Sequence, residues 1–125
     1  MLLDTDALVD LIRKHPAATA WFAALATMPF VAGFAALELV QGCQSSSELR
    51  AVQRFLTAFE IVWPTRTDLT TALIEYMPLR LAHGIGLIDA VIAATAVGAQ
   101  YTLVTFNVKH YRPIPRLKTL QPYQH

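Results

Sequence analysis

Charge is scarce in this chain. Asp, Glu, Lys and Arg make up 15% of its 125 residues, against about a quarter in an average soluble protein. Hydrophobic residues reach 54% and the mean hydropathy is +0.40, so apolar surface is expected to be covered by a second copy or another protein. No Asp, Glu, Lys or Arg occurs from His15 to Leu37. Pro29 and Gly33 interrupt that span, however, and a membrane-crossing helix needs about 20 strongly apolar residues in a row. The span therefore reads as a helix, a turn at Met28-Pro29 and a buried strand.

Cysteine is nearly absent too. Cys43 stands alone, which excludes an internal disulfide framework and a thiolate cluster and fits a reducing, cytoplasmic setting. The opening "MLLDTD" carries acids where an export signal needs basic residues. His15, His83, His110 and His125 show no zinc spacing. There is no G-x-S-x-G elbow, no G-x-G-x-x-G and no Walker loop, and Ser45, Ser46 and Ser47 read as a helix cap. The net charge of +1 neither demands nor excludes nucleic acid, although binding long duplexes by charge alone calls for a more basic protein. The short basic clusters "IRKH" and "RPIPRLK" read first as solvated surface.

What is present alternates between strand and helix. "MLLD" predicts a short buried strand, and "TDALVDLIRKH" a helix with Thr5 as N-cap. Pro16 opens a second helix, "PFVAGF" a second strand, and "AALELVQG" a helix stopped at Gly42. "SSSELRAVQRFLTAF" carries an apolar stripe of Leu49, Val52, Phe55, Leu56 and Phe59. "EIVWP" predicts a third strand. A helix from about Asp68 to His83, kinked at Pro78, is expected to stop at Gly84. The helix of "GLIDAVIAATA", a strand "YTLVTF", a loop "NVKHYRPIP" and a last strand near "LKTLQ" complete the chain. Strands separated by helices imply an α/β layer fold with a mostly parallel sheet, in one domain spanning residues 1–125.

Against this apolar background, three acids stand out. Asp89 sits in a helix that is hydrophobic on most sides, Glu38 is flanked by Ala, Leu and Val, and Asp4 ends an apolar strand. A carboxylate removed from water without partners costs on the order of several kcal/mol, so it protonates, pairs or finds a cation. Each acid also has a plain reading: Asp4 as a helix cap, Glu38 paired with an arginine such as Arg80, Asp89 as a first-turn helix acid. Asp10, Glu48, Glu60, Asp68 and Glu75 fall on polar faces or element ends. Asn107 follows a strand, as Asp4 does, and ligands gather at the carboxyl edge of parallel sheets. Brought together there, Asp4, Glu38, Asp89 and Asn107 suit Mg²⁺ or Mn²⁺, which take oxygen ligands and keep several waters. Thr105 and His110 read as structural residues, with orientation of a water or ligand as a secondary role for Thr105.

"LLDTDALVDLI", "ALELVQG", "IGLIDAVIAATA" and "TLVTFNVKHYRPIPRLKTL", in this order and spacing, resemble the PIN-domain ribonucleases. The match is with the VapC toxins of type II toxin–antitoxin modules and runs from Met1 to about Pro122. The resemblance implies a single PIN-like α/β domain with a central sheet of four to five strands flanked by helices. It also implies a Mg²⁺- or Mn²⁺-dependent endoribonuclease. Asp4, Glu38 and Asp89 fall on the family's first three acidic positions, as metal ligands and catalytic residues. Asn107 falls on the fourth, where many relatives carry aspartate; without that charge, one ion plus substrate phosphates is the implied arrangement. Ala35 replaces a threonine or serine common in relatives, and Asp6 stands where asparagine or serine is common.

The implied mechanism is in-line attack of water on a phosphodiester. Asp4 and Asp89 hold the ion, Glu38 ligates it or orients the water, and Asn107 and Thr105 position the water from the far side. Asp6 supplies additional negative charge, and Arg80, Lys109 and Arg112 contact RNA phosphates. The resemblance further implies a homodimer and a VapB-type antitoxin whose tail lies in a groove of the early helices. Leu8, Leu11, Ile12, Trp21 and Phe22 are the expected groove residues.

Two other readings compete. A PIN domain lacking a full acidic set, given Asn107 and Ala35, binds RNA or antitoxin without cutting. "LLDTDAL" also resembles the D-x-D start of haloacid-dehalogenase-type phosphatases, but the later lysine and paired-aspartate loop of that class are not evident.

Overall fold

The computed structural model describes residues 1–125. Five short strands form one sheet: β1 (Leu2–Leu3), β2 (Phe30–Ala32), β3 (Ile61–Val62), β4 (Leu103–Val104) and β5 (Thr119–Leu120). Their order is β3-β2-β1-β4-β5 and every pairing is parallel. In the central strands, Leu2, Leu3, Leu103 and Val104 are fully buried, as expected where helices cover both faces of a parallel sheet. All five expected strands are present. Leu3 lies opposite Val31 on one side and Val104 on the other, which aligns the carboxyl ends of β1 and β4. Between these two strands the order of the sheet reverses, the place where open α/β sheets bind ligands.

Helices α1 (Thr5–Ile12), α2 (Pro16–Ala23), α3 (Gly33–Gln41) and α4 (Ser46–Leu56) follow the expected pattern. One correction concerns α1. Asp4, not Thr5, is its N-cap, with the Asp4 carboxylate accepting from Thr5 N. At α4, Ser45 caps by accepting from Glu48 N. Gly33 opens α3 because the Trp63 ring lies against its backbone, where a Cβ would collide.

The expected long helix from Asp68 to His83 is broken into pieces. Helix α5 (Arg66–Thr71) runs into a π-helical turn at Ala72–Tyr76, a 3₁₀ turn at Met77–Leu79 and helix α6 (Arg80–His83). Pro78 accounts for the loss of α geometry, and Gly84 ends the run at a φ of 72°, a conformation that suits glycine. Asp68 is buried, not solvated. It forms a reciprocal capping box with Thr65, and its carboxylate lies where a side chain on Gly98 would have to go.

Helix α7 (Leu87–Ala99) is the axis of the fold. Every residue from Ala90 to Ala96 is buried, and it packs against α3, α5 and β2. Its small side chains permit that close approach on several sides. The expected loop after β4 contains a further short helix, α8 (Val108–Tyr111). No helix is long and apolar enough to cross a membrane.

Candidate active site

Asp4 leaves β1 and Thr105 leaves β4 at the point where the sheet order reverses. Thr105 is fully buried, and its hydroxyl lies 2.9 Å from Asp4 Oδ2 and 3.2 Å from Asp6 Oδ2. One hydroxyl proton thus serves two carboxylates. Asp4 Oδ1 accepts from Thr5 N at 2.8 Å, while Asp6 accepts from Phe106 N at 2.9 Å and Ala7 N at 2.7 Å. Burial first, and then the neighbouring Asp6 charge, raise the Asp4 carboxyl to a pKa of about 7. Burial also raises that of Asp6. These are carboxylates crowded together out of water, with the cost of ionisation visible in their proton affinity.

Asp89 reaches the same place from the first turn of α7. Tyr111 Oη lies 3.2 Å from Asp4 Oδ2 and 3.3 Å from Asp89 Oδ1. His110 Nε2 is 2.9 Å from Asp89 Oδ2. Consecutive residues of α8 therefore meet both oxygens of Asp89. Burial, followed by the charges of Asp4 and Asp89, pushes the Tyr111 phenol well above its ordinary range, so it remains a hydrogen-bond donor.

The remaining expected residues are placed less tightly. Glu38, half-buried on α3, accepts from Thr5 Oγ1 at 2.6 Å, which replaces the alternative pairing with Arg80. Arg80 instead donates to Ile85 O at 3.1 Å, just ahead of α7. Asn107 is exposed, and its backbone N–H donates to Thr105 Oγ1 at 3.1 Å. Lys109 and Arg112 are exposed on and just after α8. Ala35 is fully buried in the core.

No Lys or Arg is paired with any of these acids; the chain's ion pairs are His110–Asp89 and His125–Asp10. Nor do three His, Cys, Asp or Glu side chains converge as a ready-made ligand cage. The donor set nonetheless fits a hard divalent cation. Mg²⁺ binds through one or two carboxylates, several waters and substrate phosphates, and Asp4 and Asp89 offer two anionic oxygens around one hydroxyl.

Sequence reasoning missed Tyr111 altogether and left His110 as a structural residue. The available signal was an aromatic residue in an otherwise polar stretch immediately after the strand bearing Thr105. Thr5 was read as a cap, although its hydroxyl steers Glu38.

A second feature lies away from the acids. A groove of about 1040 Å³ runs between α1 and α2 on one side and α4 on the other, lined by Leu11, Ile12, Phe22, Ala51, Phe55 and Phe59 among others. Of the expected groove residues, Leu11, Ile12 and Phe22 line it. Leu8 is fully buried instead, and Trp21 packs against the core. The far wall comes from α4, whose apolar stripe has a face left over after packing.

Residues 1–113 match the PIN domain family model. The chain is 35% identical to ribonuclease VapC19 of Mycobacterium tuberculosis, over 94% of this chain and 96% of the relative. Among solved structures, VapBC2 from Rickettsia felis, bound to a DNA fragment from its promoter, superposes with a TM-score of 0.79. That match is at 26% identity and covers 95% of this chain and 96% of the other. The fold is also that of DNA-bound VapBC from Salmonella typhimurium, with a TM-score of 0.82 at 21% identity, covering 95% of each chain. An acidic cluster at the switch point of a five-stranded parallel sheet, with these relatives, makes this chain a member of the PIN-domain family, of the VapC type.

Proposed function

We propose that this chain is an endoribonuclease toxin that uses Mg²⁺ or Mn²⁺ and is restrained by a VapB-type antitoxin in the cytoplasm. The observation that carries this reading is the Asp4–Asp6–Asp89 cluster, with Asp4 buried, Asp6 and Asp89 half-buried, and no lysine or arginine to balance it. A divalent ion bound there would activate water and offset charge building on the phosphoryl oxygens. Asp4 and Asp89 hold the ion, and Glu38, steadied by Thr5, reaches toward the same edge to ligate or orient water. Thr105 fixes Asp4 through its hydroxyl, and with the exposed Asn107 it positions the water from the far side. Asp6 adds negative charge beside the ion. Arg80, Lys109 and Arg112 bind phosphates and fix the register of the RNA without reading bases.

The ribonuclease VapC19 relative supports the reaction, and the VapBC complexes among the structural neighbours support the antitoxin. An amphipathic antitoxin helix suits the apolar groove between α2 and α4. For a second copy, exposed apolar side chains at Leu73, Ile74, Leu81 and Leu87 offer a face.

The test is to incubate antitoxin-free protein with bacterial RNA in Mg²⁺, Mn²⁺ or EDTA, beside Asp89→Asn. Discrete cleavage that requires the ion and is lost in the variant supports the nuclease. Intact RNA in every condition, with folded protein, supports the binding-only alternative.

A further inference from the structure

Asp4 and Asp89 come from different parts of the chain, the end of β1 and the first turn of α7, and no hydrogen bond joins them directly. Their only shared partner is Tyr111, with Oη 3.2 Å from Asp4 Oδ2 and 3.3 Å from Asp89 Oδ1. The two acids are otherwise held unequally. Thr5 N and Thr105 Oγ1 fix Asp4 independently of α8. Asp89 has only His110 and Tyr111, both on α8. Tyr111 is 1% exposed, so its ring is fixed by packing and its hydroxyl is delivered to one place. The exposed residues around it on α8, Asn107 and Lys109, have no such anchoring.

We propose that Tyr111 is a positioning residue for the divalent cation, setting the Asp4 and Asp89 carboxylates relative to each other so that one ion is bound by both. The inference rests on the nuclease reading of the acidic cluster and adds to it a residue outside the four acidic positions. A phenol has a single proton, which at these two distances is shared between the facing carboxylate oxygens. Sharing it registers the two groups and neutralises neither, which leaves net negative charge for the cation. Groups that hydrogen-bond a metal ligand fix its orientation, and their loss typically weakens metal binding about 10- to 100-fold.

The experiment is calorimetric titration of Mn²⁺ and Mg²⁺ into wild-type protein, Tyr111→Phe, Thr105→Val and Asp89→Asn. Phe keeps the buried ring and removes only the hydroxyl. The expected result is Mn²⁺ affinity about 10-fold or more weaker in Tyr111→Phe. The metal concentration giving half-maximal cleavage should rise by a similar factor, while KM for RNA at saturating metal is unchanged. Thr105→Val, which touches no atom of Asp89, should weaken the ion less.

A purely structural role would lower the melting temperature and leave the affinity alone, so affinity within twofold of wild type, or tighter, overturns the proposal. A readout that needs no variant is the 13Cζ tyrosine spectrum of the wild type. Mg²⁺ should shift the Tyr111 signal and leave Tyr76, whose buried hydroxyl has no partner, unmoved; an unshifted Tyr111 signal in metal-bound protein also overturns the proposal. Wild-type protein that binds neither ion overturns the nuclease reading itself. Wild-type binding that Asp89→Asn abolishes and Tyr111→Phe preserves overturns only the role of Tyr111.

Discussion

Helix α1 carries acids at both ends, and the chain treats them in opposite ways. Near the far end, Asp10 Oδ2 accepts from Tyr123 Oη at 2.6 Å and lies 2.9 Å from His125 Nε2. Tyr123 stacks on His15, and His125 on Phe106, with ring centroids 5.6 and 4.1 Å apart. Burial, and then the bond to Asp10, hold the Tyr123 phenol above its ordinary range, as a donor. That carboxylate is supplied with a phenol and an imidazole from the same chain. At the other end, Asp4 and Asp6 share the Thr105 hydroxyl and have no basic side chain. The chain gives Asp10 an imidazole of its own, whereas at the carboxyl edge of the sheet three acids have one imidazole, His110 on Asp89, and Asp4 and Asp6 have none. Positive charge beyond His110 has to come from outside, and the raised pKa of Asp4, set by burial and then by the Asp6 charge, shows that this carboxylate is left without a compensating partner.

The sharpest way to break this contrast is to remove one acid from each group. Asp4→Asn or Asp89→Asn should cut RNA cleavage on the order of a thousandfold, the scale of losing a charge that organises the reacting phosphate. Asp10→Asn should leave the rate unchanged. Single-turnover cleavage of one RNA by all three variants is the measurement. Equal losses at Asp10 and Asp4 would erase the distinction.

The next effect is on stability. An Asp4 carboxyl raised from 3.8 to about 7 binds its proton more tightly in the folded than in the unfolded state. Its contribution is therefore greatest at low pH and is lost as pH rises from about 4 to about 7. Metal-free wild-type protein should lose stability on the order of 3–4 kcal/mol across that window from this group, and Asp4→Asn should remove that part of the slope. Urea unfolding at pH 5 and pH 7.5 compares the two. A wild-type slope of the opposite sign, or one retained in the variant, would contradict the assignment.

Smaller effects belong to regions away from the acids. Ala20→Arg projects a charged side chain into the apolar groove from an exposed position on α2. It should weaken an amphipathic antitoxin peptide by about tenfold, as crowding at the centre of a helix groove does, with cleavage unaffected. Fluorescence anisotropy of a labelled peptide reads this directly. Smallest of all, Asp10→Asn should change stability by about 1 kcal/mol, because the amide keeps an oxygen to accept from Tyr123 and the pair with the half-exposed His125 contributes little.

The same contrast explains what was legible in the sequence. Leu2–Leu3, Val31 and Leu103–Val104 announce buried parallel strands by their unbroken apolar character, and Asp4, Glu38 and Asp89 stand out because their neighbours are apolar. Asp68 was misjudged because a polar residue at a helix start is ordinarily solvated. Its burial follows from the Thr65 capping box and the absence of a side chain on Gly98, and "TRTD" did carry the cap signal. The partners of Asp10 lie more than 110 residues away along the chain, and no local pattern encodes such a contact. Tyr111 was missed for a related reason. A four-residue helix is too short to show a period, so "NVKHY" reads as loop, and only the folded chain shows the phenol enclosed between two acids.

The most direct test is calorimetric titration of Mg²⁺ into metal-free protein near pH 7, repeated in two buffers of different ionisation enthalpy. Because Asp4 holds a proton there in part, ion binding should release protons, as deprotonation of a ligand requires. The account predicts one ion bound per chain, with a proton release that disappears in Asp4→Asn together with tight binding. Absence of binding, or binding that Asp4→Asn leaves intact, would contradict the claim that these acids are kept for a cation.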